Sequence, residues 1–490
     1  MTSIEPSYNL LTIKIINLYN DATFMSLPYK KIGTLSLYLF LWQAGLSDSP
    51  DRLVIHRAPA PLAETSSSLN WNRFNGPFNN ATTKESSLNF KNGILEIKKC
   101  WELKKGEGYA SPAVSKTRLI LFHLDKGFEI IEARNPENGQ EIWTYKYPVQ
   151  YRDRYGYSNG PRASPVIYNG KVYTHGVTAW LTCLDLDTGK LIWKRDLKKE
   201  FEIPDNFFGK GSNPLVNGSN LIINLGGARG DCVGAFDLLK GTTSWITQDT
   251  WGASYSSPIN AKVNGKPICL VFTGGESRPP TGGLLVIDPS TGLKLSRFPW
   301  RSKSYESANA SPPVFIPPNL VFISECYEKG GVMLEIGNDF EPTILWHKPQ
   351  LNLHWVTPIY EDNCLYGVSG RHQQGAEIFC VDVKSGTLNW KNRIIWQTNL
   401  MNREIQLEFF RGSILKVNDT YLGLSEIGSL IQLQLNPQGW KILDHQQLFF
   451  APGTWTLPAL SHGLLYIMQN ETDRSSGNKP RIICYDLRGE

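Results

Sequence analysis

Apolar residues alternate through Cys183-Leu184-Asp185-Leu186, break at Asp187-Thr188-Gly189-Lys190, and resume in Leu191-Ile192-Trp193. Short alternating runs around a turn-rich break predict a β-hairpin. The Asp side chain bonds backbone amides of the turn, Gly supplies the positive φ, and Trp closes the outer strand. The pattern recurs with constant offsets. Ala235-Phe236-Asp237 precedes Lys240-Gly241 and Trp245, Val286-Ile287-Asp288 precedes Thr291-Gly292, and Cys380-Val381-Asp382 precedes Ser385-Gly386 and Trp390. An earlier copy runs Asn135, Asn138-Gly139, Trp143, and Cys484-Tyr485-Asp486 begins a last one. After Asp288 the Trp is displaced, with Phe298 and Trp300 nearby, while Trp346 and Trp440 mark two degenerate copies.

Upstream of each hairpin a residue and Pro introduce a short apolar strand: Ser111-Pro112, Ser164-Pro165, Asn213-Pro214, Ser257-Pro258, Ser311-Pro312, Thr357-Pro358 and Leu457-Pro458. The stretch from Gly412 to Leu424 supplies an unmarked copy. Eight units of about 50 residues, each of four strands, predict an all-β, eight-bladed β-propeller of antiparallel blades spanning 71–490. A seven-bladed ring with one unit outside is the alternative architecture. The last unit lacks room for a fourth strand, and Cys100-Trp101-Glu102-Leu103 has the Trp of a closing one. The N-terminal strand is therefore expected to complete the last blade and remove an open sheet edge.

The 490 residues are 41% hydrophobic and 19% charged, which excludes disorder and a multi-span membrane protein. The net charge of +5 comes without a basic run, so nucleic acid is not an expected partner. Residues 1–50 read as a leader. Lys30-Lys31 and the apolar run Ile32 to Leu46 give 25–47 the form of a signal peptide, with Met1 or Met25 as start; a retained anchor helix is the other reading. Residues 51–70, rich in Pro, Ala and Ser, read as a linker. An exported chain of the periplasm or cell envelope is expected, with no transmembrane segment beyond the leader. The eight cysteines include no C-x-x-C, which removes zinc ribbons, c-type haem attachment and thioredoxin chemistry. Cys183, Cys380 and Cys484 share one strand position and read as small buried hydrophobes.

The Asp-x-x-Thr-Gly-x-x-x-Trp hairpin resembles the repeat of the pyrroloquinoline-quinone-like β-propeller family. Trp71-Asn72-Arg73-Phe74-Asn75-Gly76-Pro77, Asp153 to Arg162, Asn206-Phe207-Phe208-Gly209 and Phe298-Pro299-Trp300-Arg301-Ser302 look like segments of an exported subfamily. The resemblance implies two kinds of protein. One branch is the quinoprotein alcohol dehydrogenases; another includes the propeller lipoprotein that helps assemble outer-membrane β-barrels.

In a propeller the loops feeding the innermost strands converge on the central channel, so residues just before the Pro signals are candidates to meet a ligand. These are Asp153, Arg154, Tyr155, Tyr157, Asn159 and Arg162, then Asn206, then Trp251 and Tyr255, then Arg301, Glu306 and Asn309, then His354 and Trp355. Arginines and aromatic faces suit a planar polyanionic quinone, and Asp153, Glu306 and Asn309 offer oxygens for Ca²⁺. The adjacent-cysteine disulfide of the quinoprotein alcohol dehydrogenases is missing from the sequence, as is a haem motif. The expectation is therefore a binding or scaffolding module for a protein partner or small ligand, with no catalytic residue, no cofactor and no assigned metal. The alternative is a calcium-assisted, pyrroloquinoline-quinone-dependent alcohol or sugar dehydrogenase working at the channel mouth. His372 reads as a surface histidine on a polar tip.

Overall fold

The structure is a computed structural model that describes residues 52–86, 88, 97–400 and 403–488. The signal-peptide reading of 25–47 lies outside the described residues. The strands form eight blades, each with four antiparallel strands in meander order, plus the two-stranded hairpin Ile395–Leu400 and Arg403–Glu408 between the sixth and seventh blades. The eighth blade takes three strands from the C-terminal end and its fourth, Lys98–Lys104, from the N-terminal side. Ring closure by the N-terminal strand is thus as expected. Of the stretch read as a linker, Leu53–Ile55 instead adds a fifth strand outside that closing strand. Its neighbour Arg57 pairs with Asp486 at 2.5 Å, which ties the segment to the last blade.

The turn chemistry follows the sequence. Asp185 Oδ1 accepts from the Thr188 amide at 2.9 Å and the Asp187 amide at 3.2 Å, and Gly189 sits at φ +69°. The spacing to Trp has a further cause that lies between blades. The indole of Trp143 donates to the Leu186 carbonyl of the next blade at 2.9 Å, Trp193 to Leu238 at 3.1 Å, Trp245 to Pro289 at 3.1 Å and Trp346 to Val383 at 2.9 Å. Trp101 of the closing strand makes the same bond across the seam, to Pro136 of the first blade at 3.0 Å, whereas Trp440 of the seventh blade turns back to Asn392 of the sixth at 3.1 Å. Each ring that bonds to the next blade lies flat on the turn glycine there, where any side chain would collide with it. The repeat therefore encodes its own neighbour contact, joining a hydrogen bond to burial of a large aromatic face. In the fourth blade Ser296 occupies the Trp position, and its hydroxyl donates to Phe340 of the fifth blade at 2.6 Å.

The residues before the prolines stitch the inner circumference. Ser164 Oγ accepts from the Ser111 amide at 2.9 Å, Asn213 Nδ2 donates to Ser257 Oγ at 2.7 Å, and Ser111 Oγ donates to the Leu457 carbonyl at 2.7 Å. Proline removes one amide donor at the head of seven of the eight innermost strands, and the preceding residue supplies a lateral link, by its side chain at Ser111, Ser164 and Asn213 and by its carbonyl at Leu457. Cys183, Cys380 and Cys484 are fully buried among apolar neighbours, as their position implies.

Candidate functional site: the central cup

Residues 71–83 run across one end of the channel. The Trp71 carbonyl accepts from Val114 of the first blade at 2.8 Å and that of Asn72 from Ile167 of the second at 2.8 Å. Asn75 Nδ2 donates to Thr357 Oγ1 of the sixth at 2.9 Å, and Thr82–Thr83 pairs with the inner strand of the seventh. Phe74, Asn75 and Ala81 thereby floor the channel, turning it into a cup of about 440 Å³.

One register position builds the wall. Two residues before each inner-strand stitch stand Tyr109, Arg162, Gly211, Tyr255, Asn309, Trp355, Arg411 and Trp455, and all but Asn309 line the cup. The loops add Tyr155, Tyr157, Phe207, Phe208, Glu306, Tyr327, His354, Arg371 and His372. The rings touch in series: Tyr109 to Trp455 with centroids 5.2 Å apart, Trp455 to Trp355 at 5.0 Å, and Trp355 to His354 at 4.3 Å. On the other side Trp455 meets Tyr157 at 5.8 Å, Tyr157 meets Phe208 at 5.8 Å, and Phe208 meets Tyr255 at 5.7 Å. Arg411 lies over Trp355 and Trp455, 4.9 and 5.3 Å from the centroids, while Arg371 lies 4.0 Å over Tyr327.

Arg162 is neutralised by Asp153 at 2.8 Å and Arg411 by Glu426. Arg371 has no carboxylate within salt-bridge distance among the described residues; its charge faces the mouth, where it adds to the Ser304 bond in lowering the exposed Glu306 carboxyl. Burial, reinforced by Arg411 and Arg371, pushes the His354 imidazole down to about 3, so it is neutral at ordinary pH. Asn75 Oδ1, Ser413 Oγ, His354 Nδ1 and Trp355 Nε1, all on lining residues, are buried without a protein partner. Buried polar groups of this kind call for a ligand or water.

Of the fourteen expected residues, Tyr155, Tyr157, Arg162, Tyr255, Glu306, His354 and Trp355 line the cup. The other seven do not. Asp153 is buried and holds its own loop, accepting from the Tyr155 and Tyr157 amides at 2.9 and 3.1 Å. Asn159 braces the same loop through Glu107 at 2.9 Å, and Arg154 is exposed beside it. Asn206 takes the Lys210 ammonium, and Trp251 packs into a core shared by the third and fourth blades under Arg297. Arg301 lies behind the wall, 3.7 Å from Glu325, and Asn309 is buried in the same region. Burial pushes Glu325 up to about 7 against the pull of Arg301.

Tyr109 and Trp455, which also line the cup, share the register of Tyr255 and Trp355 but are not among the residues the sequence pointed to. Tyr327, Arg371 and His372 come from loops between the second and third strands, not from those that feed the innermost strands. His372, read as a surface histidine, is exposed yet lines the mouth.

The oxygens proposed for calcium are not assembled into a site. Both Asp153 oxygens are engaged in the protein, Glu306 is exposed and bonded to Ser304 at 2.6 Å, and Asn309 lies off the cup lining. Among the described residues no group of three His, Cys, Asp or Glu side chains is placed to hold a metal ion. This donor set does not fit the six to eight oxygens that Ca²⁺ takes.

Similarity to known proteins follows the architecture. A curated relative, the outer membrane protein assembly factor BamB of Moranella endobia, is 31% identical over 118 residues, 24% of this chain and 26% of that protein. The matched stretches thus span about a quarter of the curated relatives' length. A europium-containing methanol dehydrogenase superposes with TM-score 0.59 at 12% identity, covering 85% of this chain and 98% of the other. The BamB of Moraxella catarrhalis superposes with TM-score 0.50 at 12% identity, covering 81% and 99%. These two likenesses concern the fold. Residues 127–392, more than half of the chain, match the pyrroloquinoline-quinone-repeat family described as outer membrane protein assembly factor BamB, and the chain belongs to that family.

Proposed function

We propose that the protein is a non-catalytic binding module of the cell envelope, exported by its leader, whose central cup receives an anionic, partly aromatic group. The observation that carries this reading is the mouth itself: an aromatic wall with the Arg371 cation free of any salt bridge among the described residues, and orphaned buried polar atoms below. Stacking faces and a guanidinium recognise planar anions or acidic, aromatic side chains of a protein. Acid–base catalysis needs a positioned group with a matched pKa at the reacting atom, and among the described residues the one carboxylate lining the cup, Glu306, is exposed and bonded to Ser304. The family name favours a protein of outer-membrane assembly as the natural partner.

The quinoprotein likeness keeps a second ligand in view, since the same wall suits pyrroloquinoline quinone. Titration of the protein with that quinone, with and without Ca²⁺, separates the readings. Calcium-independent binding that falls tenfold or more in Arg371→Ala is expected from loss of one charge-assisted contact. Tight calcium-dependent binding accompanied by alcohol oxidation with an artificial electron acceptor would overturn the non-catalytic reading.

A further inference from the structure

The ring is closed between Lys98–Lys104 and Arg481–Asp486, and each strand brings a cysteine to that seam. The register shifts between Lys99 and Trp101, which places Cys100 in a bulge beside Trp101, opposite Cys484. In a bulge, two residues of one strand face a single residue of the other. Facing residues of an antiparallel pair have Cα atoms about 4.5–5.5 Å apart, inside the 4.4–6.8 Å range of disulfides.

The sixth blade provides an internal measure of that site. There Cys380 faces Trp390 and Asn389 is the bulged residue, so Asn389 and Cys380 occupy the places of Cys100 and Cys484. The Asn389 amide reaches Cys380 Sγ at 3.5 Å, so side chains at these two positions meet. Cys100 and Cys484 are both fully buried in one core cluster, and Tyr466 lies opposite Cys484 on the inner side, as Tyr366 does opposite Cys380. The hydrogen bond with Cys484 lowers the Cys100 thiol, while burial raises that of Cys484, so the two thiols are in contact.

We infer that Cys100 and Cys484, free thiols in this structure, are the site of a disulfide that seals the propeller ring covalently. A thiol–disulfide oxidant is the co-reactant. The Cys100 thiolate attacks its sulfur, one thiol leaves, and Cys484 then displaces the second. One S–S bond forms in the protein, the oxidant's S–S bond breaks, and two electrons and two protons pass to it. Oxidation takes place while the closing strand docks, because the finished seam is covered by Leu53–Ile55. The thiols of Cys364 and Cys380 also touch, but their strands hold them in a different register. Cys364 faces Asp382 and Cys380 faces Tyr366, so these cysteines are diagonal neighbours. Such positions have Cα atoms about 7–8 Å apart, beyond disulfide reach.

The test refolds the full chain from urea in a mixture of reduced and oxidised glutathione. Remaining thiols are then alkylated in denaturant and the disulfides mapped by mass spectrometry. The expected result is six alkylated cysteines out of the eight, with the Cys100 and Cys484 peptides joined. The urea midpoint is expected to be higher than that of the reduced protein and to return on adding a reductant. Cys364→Ser leaves the link intact, and Cys484→Ser abolishes it. Eight free thiols after oxidative refolding, a link between other cysteines, or a link that leaves the midpoint unmoved would each overturn the inference.

Discussion

The contact between a turn glycine and the preceding blade's tryptophan can be measured by replacing Gly189 with Ala and using Gly127 as the control. Both glycines have positive φ, +69° and +80°, so each alanine carries the left-handed penalty of about 1 kcal/mol. At Gly127 no atom lies within 4 Å of the added methyl; at Gly189 it would stand 2.5 Å from Cδ2 of Trp143. Carbon atoms rest at about 3.5–4.0 Å, so the indole must retreat by about 1 Å and strain its 2.9 Å bond to Leu186. Overpacking of this kind costs about 1–3 kcal/mol, giving about 2–4 kcal/mol for Gly189→Ala against about 1 kcal/mol for Gly127→Ala. Urea unfolding followed by circular dichroism reads the two midpoints. In a Trp143→Leu background the excess at Gly189 should vanish, because the cycle removes the clash and leaves only the φ penalty. Equal losses for the two single variants, or an excess that survives the Trp143 change, would refute the account.

Two further outcomes concern buried charge. Burial, opposed by a bond to the Ser212 carbonyl, lowers His175 to about 4 against an ordinary 6.5, so the folded protein keeps it neutral. Its contribution is complete above pH 6.5 and is lost as pH falls from 6.5 to 4, by up to about 1.4 kcal/mol per pH unit, because only the unfolded chain takes up the proton. His175→Gln should flatten the stability profile over that window in urea titrations at stepped pH. Burial would raise Glu132, but the His123 bond and the charges of Arg52 and Arg134 prevail and hold it well below the usual carboxylate range. Glu132→Gln takes the charge from beside the fully buried Arg134 and should cost about 3 kcal/mol by the same unfolding assay.

The fold was legible because its signals are local and repeated. Asp185, Gly189 and Trp193 lie within nine positions, and each copy confirms the others. The partner of each tryptophan was not legible, since a spacing within one blade does not disclose a bond to the next. At the site, the positions just before each Pro include Tyr255 and Trp355, and the same register contains Tyr109 and Trp455. Proximity to Pro misled at Asp153 and Asn159, whose polar atoms hold the loop, and at Trp251, whose ring packs between blades. Long loops spend polar side chains on their own backbone, and sequence does not distinguish that use from reaching outward. Arg371 escaped because its loop joins the second and third strands, and the floor escaped because residues 71–83 belong to no repeat.

That floor has a consequence for traffic. With one end of the ring crossed by residues 71–83, a ligand of the cup is expected to enter and leave by the same mouth. If the proposed binding holds, a small molecule in the cup and a loop from a docked protein would compete for the same opening. Each is then a plug against the other, and occupancy by one reports directly on the absence of the other.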